Sequence, residues 1–483
     1  MKEDSIRNRA RRAVAAIAVL VSCTTLGVAQ SSASAAGATA SLPNAPAVQA
    51  GAISGSVPSG PATAQVLPLT LQEAIHLALK YNLGAVETSE DVRTARGERL
   101  LALSALLPHV NADLSEDVEQ TDLASLGLKE PGLPKVIGPY SYSSADVGVI
   151  QSLFSFSSVQ RLRAARNAQQ AAQLNYQDTL DVITLAAGNA YLEAVADESR
   201  IEAQEAQVRN AQALYEQAEN ELQAGTAPRI DATRTDVQLH TEQYNLSIAR
   251  NNFAIAKLTL ARAIGLPLGQ QFDLADKLPC SDLASVSLDD ALDTANSSRS
   301  DLRAAVNAEK AADRALSAAK AERWPTAAVN GSYGDLGQTF DHSHGVFTFQ
   351  AGIHIPIFNG GQVRGETTQA AALLEQRRAE VENLRGQIDY DVRTAFLNLT
   401  AAREQVTVAR QNVALANDNL GRSKDRFASG VTDSVEVVQA EQALASADDQ
   451  YITSLYSFNF AELSLARAMG VARTDYQQYL GGK

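Results

Sequence analysis

The chain repeats itself, and a fold that one pattern must satisfy twice leaves few architectures open. Leu69–Leu79 (LTLQEAIHLAL) returns as Val286–Asn296 (VSLDDALDTAN), an offset of 217 that also relates Pro108 to Pro325. Further along, the offset is 205. It pairs Gly225 in AGTAPRIDATRTD with Gly430 in SGVTDSVEVVQAE, Tyr191 with Phe396, and Gly265 in LARAIG with Gly470 in LARAMG. The difference of 12 between the offsets has to arise between Pro108 and Tyr191. Its expected place is the loop TDLASLGLKEPGLPKVIGPYSYS, which is longer than its counterpart around GDLGQTFDHSHG.

Each half is expected to run helix, strand, loop, strand, long helix, glycine break, helix. In FTFQAGIHIPIF, Phe347, Phe349, Ala351, Ile353, Ile355 and Ile357 fall on one face, and Thr348, Gln350, Gly352 and His354 on the other. That alternation fits a strand with one apolar and one wet face, which is also the pattern of a membrane-spanning β-strand. VNADLSEDVEQ, SADVGVIQSLF and TAAVNGSYGDL are weaker instances, and each alone reads equally as an edge hairpin. Ser158 to Leu222 and Val363 to Ala428 each predict about 65 residues of helix, roughly 100 Å at 1.5 Å per residue. Val208, Ala211, Tyr215, Ala218 and Leu222 step 3, 4, 3, 4, as do Val437, Ala440, Leu444, Ala447 and Tyr451. This is a coiled-coil seam with Ala at alternate places. Helices of this length suit a projecting tube rather than a compact domain. Two hairpins supply four strands, the smallest membrane barrels need about eight, and lipid tolerates no open sheet edge. Several chains must then share one barrel.

Composition agrees. Hydrophobic residues are 45% of the 483, but aromatics are only 5%, with one Trp and two Met, which suits helices packed through Ala better than one thick core. The net charge of −14 argues against a nucleic-acid partner. Residues 1–35 combine a basic start (MKEDSIRNRARR), a short apolar run (AVAAIAVLV) and small residues, and read as an export signal too short to span a membrane. Ala29 and Ala35 fit as cleavage points. Leu20-Val21-Ser22-Cys23 also resembles a lipobox, so Cys23 is either lipidated or an incidental residue of a signal removed further on. Without it only Cys280 remains, which precludes an intrachain disulfide. Residues 36–66, uncharged and rich in Ala, Ser, Gly and Pro, are expected to be a flexible tether. A first repeat over 67–275, a linker over 276–285, a second repeat over 286–472 and a tail over 473–483 complete the expected organisation. His342 and His344 lie in an expected turn and do not make a metal set. No GxxxxGK[ST], GxSxG or HExxH occurs, so neither a cofactor nor a reaction is expected.

LTLQEAIHLALKYN, IPIFNGGQVRGE, RFASGVTDSVEVVQAEQAL and LARAMG, in that order within a duplicated chain, resemble the TolC-like outer membrane efflux family. The resemblance covers about Leu67 to Ala472. It implies an α+β membrane protein in which each chain gives four transmembrane β-strands to a trimeric, twelve-stranded outer-membrane barrel. A long α-helical coiled-coil tunnel then projects into the periplasm. The implied partners are two further copies of the chain, outer-membrane lipid, a periplasmic adaptor, and an inner-membrane pump or secretion transporter.

The glycine breaks are the ends of that tunnel. Gly430 is expected just past a helix end, where the left-handed conformation favours glycine. Asp433, or else Ser434, caps the next helix, and Asp433-Ser434-Val435-Glu436 fits a capping box. Gly225 and Pro228, the latter at a first helical position, make the matching turn in the first half. By resemblance, these hairpins form a periplasmic tip that meets the adaptor, with constriction positions at Glu436, Gln439 and Asp231. The family's tyrosine position falls on Phe427 and its arginine position on Thr432. Neither carries the needed group and Gln439 is neutral, so the family's lock is expected to be altered here. Three Glu436 carboxylates on one axis would repel one another and attract cations; alternatively, Glu436 only completes the cap. Asp231, near Arg229 and Arg234, reads equally as an ion pair at a helix start. The expected function is a passive exit duct of a tripartite efflux or type I secretion system. The competing expectation is a periplasmic or surface coiled-coil scaffold.

Overall fold

The computed structural model describes residues 55–123, 134–226, 228–277 and 287–474. The export signal with Cys23, the start of the tether, the tip of the long loop, Cys280 and the C-terminal tail from residue 475 on lie outside the described residues. In chain order the elements are β1 (Leu67–Leu69), α1 (Leu71–Tyr81), α2 (Leu83–Ser104), β2 (His109–Asp122), β3 (Val136–Phe154), α3 (Phe156–Gln223) and α4 (Arg229–Ile264). The second half follows as β4 (Phe272–Leu274), α5 (Leu288–Ser298), α6 (Ser300–Ala321), β5 (Thr326–Gly337), β6 (Ser343–His354), α7 (Gln362–Ala428) and α8 (Ser434–Ala468). The long helices are 68 and 67 residues, as the unbroken Ala-rich runs require. None of the described helices is long and apolar enough to cross a membrane.

The duplication is written into the core. Ala74, Ala78, Ile183, Ala187, Leu260 and Ile264 are buried together in the first half. Their counterparts at the two offsets, Ala291, Ala295, Ile388, Val392, Leu465 and Met469, are buried together in the second. The halves meet along α3, which packs on α6 and crosses α8. A Cβ on Gly188 would stand 2.5 Å from Leu463 Cδ2, so glycine sets that approach. Beside it the Tyr456 hydroxyl donates to Asn189 Oδ1 at 2.8 Å.

Strands β2-β3-β5-β6 form one antiparallel sheet. The register stacks Val110 on Val149 and Ala112 on Val147, then Val147 on Tyr333 and Tyr333 on Phe347, so the apolar positions of all four strands share a face. Asn111, Asp113, Ser115, Asp146, Ser332 and Thr348 share the other. The chain leaves the apolar face open: Leu114 is 73% exposed and Phe347 79%. β2 and β6 each have one neighbour and one free edge. β6 stops at His354, short of the expected Phe358, because Pro356 has no N–H for the ladder. Ile355 and Ile357 are exposed in the connection beyond it. β3 runs 19 residues against 12 for β6, so part of the extra length of the first hairpin lengthens its strands.

Sequence reasoning missed a two-stranded parallel sheet, Leu67 on Phe272 and Leu69 on Leu274, whose side chains enter the first core. Tyr191, 1% exposed, donates to Leu69 O at 3.0 Å and Asp276 Oδ2 at 2.9 Å and so fixes that sheet to α3. The end of the expected tether is not free. Val57 N donates to Tyr81 O, Ser59 N to Gly265 O, and Thr63 N to Gln270 Oε1.

The expected seam on α8 is present, with Val437, Ala440, Leu444 and Ala447 buried and Tyr451 half-buried. On α3 it is shifted. Gln207, Ala211, Leu214 and Ala218 are buried, while Val208, Tyr215 and Leu222 are only half-buried. α3 packs against both α4 and α8, and Leu214 rather than Tyr215 enters the cluster that α8 closes.

Candidate functional site

The two hairpins are built alike. At the end of α3, Gly225 has φ 71°, its N–H donates to Leu222 O, and Thr226 N donates to Glu221 O. At the end of α7, Gly430 has φ 66°, with Gly430 N to Phe427 O and Val431 N to Arg426 O. Both are the paired C-terminal hydrogen bonds of a left-handed helix stop. Pro228 precedes the first turn of α4 rather than opening it: it is the N-cap residue, with ψ 149° and no side-chain cap bond, and the helix begins at Arg229. Asp433 caps α8 through its carboxylate, which accepts from Val435 N at 3.1 Å.

The expected capping box does not form. Glu436 turns back to α7 and the turn instead of to the Asp433 N–H. Its Oε2 accepts from Thr432 Oγ1 at 2.6 Å and its Oε1 lies 3.2 Å from Arg426 Nε. A charged pair plus a hydroxyl outweighs one backbone donor. Thr432, which cannot supply the salt bridge expected at the family's arginine position, holds Glu436 through its hydroxyl, and Arg426, which sequence reasoning missed, pairs with it. Gln439 is exposed one turn on, along the stripe of Glu436. Phe427 is buried with Leu214, Leu420, Val437, Ala440 and Leu444, an apolar plug where a hydroxyl was the family expectation.

Asp231 lies elsewhere. It is 8% exposed, and its Oδ1 accepts from Arg234 Nη1 at 2.9 Å and from Ser434 Oγ at 2.8 Å. The structure therefore brings Glu436 and Gln439 to one open face and puts Asp231 between the hairpins of its own chain. Ser434, weighed only as an alternative cap, spends its hydroxyl on that contact. Higher up, Glu242 is buried among Gln204, Gln238 and Asn245, and Glu441 beside Lys424 Nζ at 3.6 Å. Burial pushes the Glu441 carboxyl up, and Lys424 pulls against it.

A second ionic group joins the repeats near the other end of these helices. Arg299 lies between Asp301 and Asp391, Arg467 Nη2 meets Asp178 Oδ1 at 2.7 Å, and Asp181 Oδ1 accepts from Arg473 N at 3.2 Å. Burial raises both Asp178 and Asp181, the latter to about 6, against the pull of Arg467. Among the described residues no group of three or more His, Cys, Asp or Glu could hold a metal ion. The geometry offers polar surfaces and ion-paired joints along long helices.

Comparison with known proteins gives the same picture. The toluene efflux pump outer membrane protein TtgF of Pseudomonas putida is 24% identical over 418 residues, 83% of each chain. The alkaline protease secretion protein AprF of Pseudomonas aeruginosa is 23% identical over 416 residues, 83% of this chain and 85% of its own. The outer membrane channel CmeC of Campylobacter jejuni superposes with a TM-score of 0.74 at 15% identity, over 83% of this chain and 86% of that one. VceC of Vibrio cholerae gives 0.71 at 18%, over 83% and 96%. The family model described as outer membrane efflux protein matches residues 74–266 and 291–471, more than half of the chain, so the chain belongs to the outer membrane efflux protein family.

Proposed function

We propose that this protein is the outer-membrane exit duct of a tripartite export system, passively conducting cargo delivered by a periplasmic adaptor and an inner-membrane pump or secretion transporter. The observation that carries the reading is the sheet. One face is apolar over four strands, the other bears Asp113, Asp146 and their polar neighbours, and both edge strands are open. Four strands cannot close a barrel, and three copies, contributing twelve strands, can. A coiled-coil scaffold would leave that apolar face in water, which disfavours the alternative. The repeats over 67–275 and 286–472 then supply equivalent pairs of strands and equivalent helical hairpins to one tube. No catalytic step is assigned to the chain; the energy comes from its partners.

At the tip, the turns at Gly225, Pro228, Gly430 and Asp433 present the adaptor-facing ends. Glu436 and Gln439 form the constriction, while Asp231 locks each chain's two hairpins together. Cys23 remains a candidate anchor. The test is single-channel conductance of the purified protein in a planar bilayer, wild type against Glu436→Ala. The expected result is small, cation-selective openings that widen and lose selectivity in the variant. Identical openings in the two would return Glu436 to a local structural role. No openings from folded protein would favour the scaffold.

A further inference from the structure

α3 and α6 pack side by side below the strands, flanked by α2 and α7, so the groove between them lies in the middle of one chain. Its cavity of about 370 Å³ is lined by Arg163, Arg166, Lys310 and Arg314, with Asp313 as the one carboxylate. This is the opposite of the molecule at large, which carries −14. It also departs from α7, where Arg377, Arg378, Arg385 and Arg393 each meet an acid on their own helix. None of the four groove cations has a carboxylate partner among the described residues. Arg163, Arg166 and Lys310 are exposed and Arg314 is half-buried, so the groove presents a net positive charge to its surroundings, which favours an anion there.

The groove has a level and a face. Arg163 stands seven residues past Phe156 and Arg314 seven before Ala321. Both are roughly 10 Å of helix from the strand ends, within reach of a headgroup layer for so long a side chain. Phe156, Arg163, Asn167 and Gln170 follow one stripe of α3 at i, i+7, i+11 and i+14. At the head of that stripe Phe156 stacks on Trp324, centroids 5.3 Å apart and planes 18° from parallel, with Trp324 48% exposed. A half-exposed aromatic pair at the foot of membrane strands suits the interface between lipid and water.

We propose that this groove is a phosphate-binding site, and that its occupant is the phosphate of an anionic phospholipid headgroup in the periplasmic leaflet. Arginine forks match phosphate oxygens, Lys310 adds a point charge, and the acyl chains pass the Phe156–Trp324 pair. The lipid as source rests on the strands being membrane-embedded, as proposed above.

Trp324 is the only tryptophan and reports on both points. The full-length protein is reconstituted with phosphatidylglycerol or phosphatidylcholine carrying brominated acyl chains, and quenching of Trp324 is followed. Brominated phosphatidylglycerol should quench at roughly tenfold lower mole fraction than brominated phosphatidylcholine. Arg166→Gln with Arg314→Gln should remove the difference, and Arg166→Lys with Arg314→Lys should keep most of it. Lys310→Gln alone, a milder change, should halve the preference or more. Equal quenching by the two lipids in the wild type, or a preference that survives the glutamine variants, overturns the site while leaving the embedding intact. No quenching by either overturns the embedding and the lipid source together. Full displacement of phosphatidylglycerol by millimolar inorganic phosphate overturns the lipid assignment in favour of a free anion.

Discussion

Ser434 Oγ donates to Asp231 Oδ1 at 2.8 Å, joining two hairpins that lie 203 residues apart in the chain. Arg234 Nη1 reaches the same carboxylate oxygen and the same hydroxyl, each at 2.9 Å, and so closes a triangle. Asp231 and Ser434 are both buried, so the bonds are shielded from water and from salt. The hairpins of one chain are thereby coupled before any partner chain is considered.

Ser434→Ala is expected to loosen this joint without unfolding the helices. The ion pair between Asp231 and Arg234 survives, but two hydrogen bonds to charged groups are lost, those of Ser434 Oγ to Asp231 and of Arg234 to Ser434 Oγ, together at least about 1.5 kcal/mol. Hydrogen exchange at the first amides of α4 and α8 should then speed up roughly tenfold, with the middle of α3 unchanged. Unaltered exchange at both helix starts would mean that the apolar cluster around Phe427 holds the hairpins by itself.

Arg426→Ala should act on the channel through Glu436 alone. With its guanidinium partner gone, the Glu436 carboxylate keeps only the Thr432 and Ser423 hydroxyls, and its charge is less well compensated. Reversal-potential measurements in a salt gradient should show stronger cation preference than the wild type. In an Glu436→Ala background the same arginine change should add nothing. An additive effect of the two substitutions would show that Arg426 lines the pore independently.

Much of this was legible from period and spacing, and the remainder was not for identifiable reasons. The offsets of 217 and 205 predicted which buried residues in one half answer which in the other, because a duplicated fold reuses its core. Gly225 and Gly430 announced their turns because few other residues adopt that backbone. The capping box failed because Glu436 had a better partner in Arg426, on a helix whose approach sequence alone does not describe. Leu67–Leu69 and Phe272–Leu274 were invisible as strands because three residues carry no period. The α3 seam kept Ala211 and Ala218 but took Gln207 and Leu214 in place of Val208 and Tyr215, because two neighbouring helices compete for that face.

The two helix-stop glycines at 430 and 470 should respond differently to alanine. Both have positive φ, 66° and 75°, so each substitution carries a backbone cost of about 1–2 kcal/mol. Around Gly430 a new Cβ meets nothing within 4 Å, whereas at Gly470 it would stand 2.8 Å from Arg299 Cα. Gly470→Ala should therefore lower the thermal midpoint clearly more than Gly430→Ala, and Gly430→Asn should be milder than either. Equal losses at the two positions would refute the close approach of α8 to Arg299.

Asp181 should make stability depend on pH in the direction opposite to most carboxylates. Its folded value, about 6, lies above its ordinary 3.8, chiefly because burial penalises the charge; Arg467 and Arg473 pull it down and Asp178 adds to the rise. Between those two values the folded state holds more protons than the unfolded one, so this residue's contribution falls as pH rises through the window. Above about 6 both states are ionised and the penalty is complete, roughly 3 kcal/mol at most; below about 4 both are protonated and it vanishes. Asp181→Asn keeps a carbonyl to accept from Arg473 N and removes the charge. It should raise the unfolding midpoint at pH 7.5 and change it little at pH 4, measured by denaturant titration in one detergent. A variant that is destabilised at pH 7.5 as well would show that the ionised carboxylate is a net stabilising partner of Arg467 and Arg473.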